Sequence, residues 1–60
     1  MNNFSNLNYL KSELKKITHH FEIKDFDYVI QKSIIIIKKN PQQIPFYNFL
    51  GLAYRQKGKL

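Results

Sequence analysis

Apolar residues recur at Leu7, Leu10, Leu14, Ile17 and Phe21, at intervals of three, four, three and four. That spacing draws one stripe down an α-helix and is incompatible with a strand, whose side chains alternate with a period of two. Ser5, Asn6 or Asn8 can cap the start, so the spacing predicts a helix from Leu7 to near Ile23. The polar, asparagine-rich residues 1–6 are expected as a frayed N-terminal segment.

Asp25-Phe26-Asp27 then interrupts the stripe. An aspartate at this point can cap a second helix, its carboxylate accepting from the free amides of the first turn. Phe26, Val29, Ile30, Ser33 and Ile37 follow at helical spacing, and Ile36 widens the face. The run Ile34–Ile37, four β-branched residues, would also suit a buried strand. Helix is favoured because its pattern begins eight residues upstream and Lys38-Lys39-Asn40-Pro41 makes a good ending. The lysines complement the carbonyl end of the helix dipole, and Pro41 cannot continue the hydrogen-bond ladder. A third helix is predicted from Pro45, whose fixed φ suits a first turn, through Tyr47, Leu50, Gly51 and Tyr54, with Gly58 as its C-cap.

The expected fold class is all-α: three helices in an antiparallel helix-turn-helix arrangement with short connections. The expected core is Leu10, Leu14, Ile17, Phe21, Phe26, Val29, Ile30, Ile37, Tyr47, Leu50, Gly51 and Tyr54. A chain of 60 residues buries only about 60 % of its unfolded surface, so that core is thin. With no cysteine, neither a disulfide nor a cysteine-ligated zinc can compensate. Nine aromatic residues in a chain 43% hydrophobic exclude a disordered tail. The longest unbroken apolar run, Ile34 to Ile37, is too short for a membrane span. The N-terminus lacks a signal layout, which points to the cytoplasm.

The formal charge of +6 is unevenly spread. Residues 1–30 balance Lys11, Lys15, Lys16 and Lys24 against Glu13, Glu22, Asp25 and Asp27, whereas residues 31–60 hold six cations and no acid. Attraction to phosphates or an anionic membrane is one reading. The other is compositional. More than half of the residues are Lys, Asn, Ile, Phe or Tyr, the amino acids of A/T-rich codons.

Aligning the chain with itself exposes an internal repeat. Leu14-x-x-Ile17-Thr18-x-x-Phe21 lies over Tyr47-x-x-Leu50-Gly51-x-x-Tyr54 at an offset of 33 residues, and Phe26 lies over Leu60 at 34. Both copies read bulky, x, x, aliphatic, small, x, x, aromatic. A period of this length in helix-turn-helix units marks a stacked-repeat architecture.

The residues Tyr47-x-x-Leu50-Gly51-x-x-Tyr54 resemble the first helix of a tetratricopeptide repeat, whose pattern is Trp-x-x-Leu-Gly-x-x-Tyr. Asp25-Phe26-Asp27, then Val29, Ile36 and Ile37, and finally Asn40-Pro41 match the second helix of that pattern. Val29 and Ile36 stand where alanine is usual, Ser33 where an aromatic is usual, and Thr18 replaces glycine, so the first repeat is divergent. The resemblance covers Leu14 to Leu60. It implies a divergent repeat over residues 7–43 and the first helix of a second repeat over 44–60, at the N-terminal end of a longer array. Such units stack to bury a continuous core, and about three are needed for stability. Self-association through an unpartnered third helix is therefore expected, and Gly51→Leu is expected to collapse the packing of that helix.

The resemblance further implies a scaffold that binds a peptide or another protein on its concave face. That face would present Lys15, His19 and Glu22 in the first unit and Asn48, Leu52, Arg55 and Gln56 in the second. A carboxylate clamp of the kind some relatives carry is disfavoured, because His19 and Leu52 stand where asparagine is needed. His19 and His20 are adjacent, about 100° apart on a helix, and cannot both face one ion. No metal or cofactor is expected. No catalytic set is visible either: there is no glycine-rich phosphate loop, and Ser5, Ser12, Ser33 and His20 form no activated arrangement.

Two alternatives remain at this level. The segment could be an accessory arm of a glycosyl- or sulfotransferase, by analogy with relatives that carry such domains. A nucleic-acid reading through Lys38, Lys39, Arg55, Lys57 and Lys59 is weaker, since cations at helix ends are commonplace and the third helix gives most of its faces to aromatics.

Overall fold

In the computed structural model, which describes residues 3–59, three helices follow in order: α1 (Asn3–Glu22), α2 (Phe26–Lys39) and α3 (Ile44–Gly58). The fold is all-α, with no strand among the described residues. Met1 and Asn2 of the expected N-terminal segment, and Leu60, the repeat counterpart of Phe26, lie outside them. Connections of three and four residues join the helices, and links this short make sequential helices antiparallel neighbours. The Cα radius of gyration is 11.7 Å, above the about 10.4 Å of a compact domain of this length. The molecule is accordingly elongated, 42 × 19 × 14 Å.

α1 opens at Asn3, four residues before the expected start. Neither proline nor glycine breaks the ladder there, so Ser5, Asn6 and Asn8 are interior helical positions and not caps. Its other end closes in a Schellman motif: the Asp25 N–H donates to the His20 carbonyl (2.8 Å) and the Lys24 N–H to the Phe21 carbonyl (3.0 Å). The motif needs a left-handed residue, and Lys24 supplies it at φ 66°. Asp25 immediately caps α2, its carboxylate accepting from the Tyr28 N–H at 3.3 Å. One aspartate thus ends one helix with its backbone and starts the next with its side chain.

α2 runs unbroken through the isoleucine run. Ile36 is fully buried while Ile35 is exposed, the alternation of a helix wall rather than of a doubly covered strand. Asn40 caps its end, the N–H and the side-chain amide both donating to the Ile36 carbonyl (2.8 and 3.1 Å). α3 begins at Ile44 with Pro45 in its first turn, and the Tyr47 hydroxyl donates to the Pro41 carbonyl at 2.9 Å, bracing the connection. Gly58 is the last helical residue and has no positive φ; Lys59 occupies the C-cap in ordinary right-handed geometry. The expectation of a glycine cap there is corrected: backbone bonds from Lys59 to the Gln56 and Lys57 carbonyls close the helix without a left-handed residue.

The core consists of Leu10, Ile17, Phe26, Val29, Ile36, Phe46 and Ala53, with Leu14, Phe21, Tyr28, Ile30, Ile37 and Phe49 packed partly buried around it. Phe21 makes edge-to-face contacts with Phe26 and Phe49, at 5.4 and 5.6 Å between ring centroids, tying all three helices together. For α1 and α2 the expected core matches closely, with Ile36 buried more deeply than Ile37. For α3 it does not. Tyr47, Gly51 and Tyr54 are exposed and Leu50 is only half-buried. Phe46 and Ala53 point inward instead, with Phe49 beside them. α3 is apolar on nearly every side, so periodicity alone could not choose its buried face. Ala53, fully buried, supplies the small residue at the contact with α1 and α2.

A polar contact joins α1 to α2 inside this packing. The Glu13 side chain, 6% exposed, receives the Lys16 ammonium at 3.2 Å on one oxygen and lies 3.1 Å from the Lys32 ammonium on the other. Burial pushes its pKa up, but hydrogen bonding and charge from Lys32 and Lys16 outweigh burial and hold the carboxyl below its ordinary value. The same partner raises the pKa of Lys32. Ser33 is fully buried and its hydroxyl has no hydrogen-bond partner.

Candidate functional site

Two grooves lie on the outer faces of α1 and α3. The first, about 400 Å³, is lined by Lys11, Leu14, Lys15, Thr18, His19 and Glu22. These recur at helical spacing, so one stripe of α1 supplies the whole wall. Leu14 rests against the core and forms the apolar floor. The Thr18 hydroxyl donates back to the Leu14 carbonyl at 2.8 Å, which leaves its methyl as a small, satisfied surface. Lys15, His19 and Glu22 are exposed at the rim.

The second groove, about 570 Å³, is lined by Tyr47, Asn48, Gly51, Leu52 and Arg55 of α3. Gly51 forms its floor: a Cβ added there would meet nothing within 4 Å. Among the described residues this glycine therefore permits no close approach, and the expectation that Gly51→Leu collapses the packing of α3 is overturned. Leu52 and Tyr54 stay exposed to solvent beside it. α3 has no acidic residue. Its Lys57 pairs with Asp27 of α2, whereas Arg55 joins no ion pair among the described residues.

The structure thus gathers Lys15, His19 and Glu22 into one groove and Asn48, Leu52 and Arg55 into another. Gln56 is half-buried and lines neither. Sequence spacing missed Lys11, which extends the first stripe by one turn. It also assigned Tyr47 and Gly51 to the core when they form the wall and floor of the second groove. Phe46, Phe49 and Ala53 form an apolar set at equally good helical spacing, so spacing holds no signal that puts the tyrosines outside.

His20 is committed elsewhere. Its Nδ1 lies 3.0 Å from the Asp25 carboxylate, and its ring stacks on Tyr28 at 3.6 Å between centroids. Its neighbour His19 meets it edge-on at 5.6 Å between ring centroids. Among the described residues no group of three or more His, Asp or Glu could hold a metal ion. No helix there is long and apolar enough to cross a membrane. The first groove offers an apolar floor with lysine, histidine and glutamate at its rim, and the second a bare backbone flanked by aromatic, aliphatic, amide and guanidinium groups.

No family model, no curated protein and no solved structure matches this chain.

Proposed function

We propose that the chain is a tetratricopeptide-like helical-repeat segment that serves as a scaffold for a peptide or another protein. The observation that carries the reading is the division of α3 into two apolar faces. Phe46 and Ala53 pack against α1 and α2, while Tyr47, Gly51, Leu52 and Tyr54 remain exposed. Glycine costs about 1 kcal/mol of helix propensity relative to alanine. At Gly51 no contact among the described residues offsets that cost, so an approaching chain is the natural reason for it. Exposed tyrosine and arginine around an apolar floor are the side chains that dominate binding energy at protein interfaces.

The test is binding by the full chain of peptides selected from a random library, compared across variants. Leu52→Asp and Lys15→Glu alter exposed groove residues, so the helical content should be retained while affinity falls about tenfold or more, the loss of one central contact. Peptides that bind both variants as well as the parent, or a selection that yields no binder above a scrambled control, would contradict the proposal.

A further inference from the structure

Every residue lining the second groove, Tyr47, Asn48, Gly51, Leu52 and Arg55, lies 33 positions after one lining the first. The same offset aligns α1 with α3 in the sequence. Both helices run antiparallel to α2, hence parallel to each other, and they are in contact. The repeat sets two equivalent grooves side by side on neighbouring helices.

Their charge is unbalanced. Lys11 and Lys15 of the first groove and Arg55 of the second join no ion pair among the described residues. The chain has four acids, and three of them are occupied. Glu13 holds Lys16 and Lys32, Asp27 holds Lys57, and Asp25 caps α2 beside His20. Glu22 alone remains at the rim, facing an excess of cations.

We propose that the two grooves form one track for an extended, acidic segment of a different protein. This rests on the scaffold reading and names the chemistry of its partner. Side-chain carboxylates of the segment accept from the Lys15 ammonium at one end and the Arg55 guanidinium at the other. Between them its apolar side chains lie against Leu14 and Leu52, and the bare Gly51 leaves room for its backbone. Packed helices stand about 8–10 Å apart, and Arg55 lies about 10 Å further along its axis than Asn48, the counterpart of Lys15. The two cations are then about 14 Å apart, the reach of about four residues of extended chain, which sets the spacing of the acids. A second copy of this chain brings no spare acid but Glu22. Lys38 and Lys39, the charges a nucleic acid would add, line neither groove.

Octapeptides with both ends blocked, selected from a random library on the full chain, test the proposal. Those selected should be rich in aspartate and glutamate, with two acids about four residues apart. Lys15→Gln and Arg55→Gln, both at exposed positions, should each lower their affinity about fivefold. Lys15→Glu combined with Arg55→Glu should turn the selection toward lysine and arginine. Selected peptides without acidic enrichment that are still lost with Leu52→Asp overturn the acidic partner and leave the scaffold standing. Acidic peptides that bind both glutamine variants as well as the parent overturn the track, as does affinity that appears only when the C-terminal carboxylate is unblocked. A single-stranded DNA oligonucleotide that outbinds every selected peptide, and is lost with Lys38→Gln and Lys39→Gln, moves the surface to α2 and overturns it too. No binder at all overturns the scaffold together with the track.

Discussion

Lys32 of α2 holds its ammonium 3.1 Å from a carboxylate oxygen of Glu13 in α1, whose side chain is 6% exposed. Among the described residues this pair is the one ionic link between α1 and α2 in which the acid is buried, and it makes stability depend on pH. The folded-state pKa of Glu13 lies below the ordinary carboxylate value of 4.5, held there by the two lysines. Its contribution is therefore complete above that value and is lost as pH falls through the lower folded-state pKa. Acid titration followed by circular dichroism should show unfolding that begins below about pH 4.5. In Glu13→Leu, which replaces the carboxylate by an apolar group of similar size, this dependence should flatten while neutral-pH stability stays level or rises. An unchanged acid profile in Glu13→Leu would show that other carboxylates govern it.

Removing the cations instead should have the opposite effect. Lys16→Met with Lys32→Met leaves a buried carboxylate without compensation, and stability at pH 7 should drop by about 1–2 kcal/mol, discounted because both lysines are partly screened by solvent. Urea denaturation of the double variant measures it, and a rise in midpoint would remove the pair from the account.

Ser33 buries a hydroxyl that finds no partner. Ser33→Ala removes the unpaired group and improves helix propensity, so it should stabilise by about 1 kcal/mol, a rise of about 4–8 °C in a domain this size. A drop in melting temperature would mean that the hydroxyl is hydrogen-bonded.

The two faces of α3 should respond oppositely to truncation. Phe46→Ala empties a fully buried position and should cost about 3–5 kcal/mol, enough to unfold a domain of this size. Gly51→Ala, measured at low concentration, should stabilise by about 1 kcal/mol through helix propensity alone. If Gly51→Ala destabilised the protomer, the glycine would be packed against something within it.

Lys24 holds a left-handed conformation that costs a side-chain-bearing residue about 1 kcal/mol. Lys24→Gly should recover about that amount and leave the Schellman bonds intact. A lower melting temperature would place the lysine side chain in a stabilising contact.

The helices of this chain are largely legible in its sequence because each carries a strong local signal. The three-four stripe of α1, the Asp25 cap and the Asn40-Pro41 stop each act within one turn. Lys24 was not legible, since the turn tolerates a poor residue when backbone bonds on both sides hold it. The orientation of α3 was not legible for a different reason. Its apolar residues surround the axis, and the choice between Phe46-Ala53 and Tyr47-Tyr54 depends on shape against α1 and α2, which periodicity does not encode. Lys15, His19 and Glu22 line a groove on α1 because they lie opposite its single apolar stripe, whereas Asn48, Leu52 and Arg55 on α3 lie outward only because Phe46 and Ala53 take the buried side. Gln56 failed because it borders the buried side. Gly51 costs helix propensity wherever it faces, so its sequence position alone does not distinguish a packed glycine from the outward one observed.

The central claim is that the outer face of α3 is a docking surface. Amide nuclear magnetic resonance spectra of the isotope-labelled chain, recorded as a library-selected peptide is added, test it residue by residue. The expected shifts on α3 are confined to Tyr47, Asn48, Gly51, Leu52, Tyr54 and Arg55. Shifts confined to α1 and α2, or none at any peptide concentration, would contradict it.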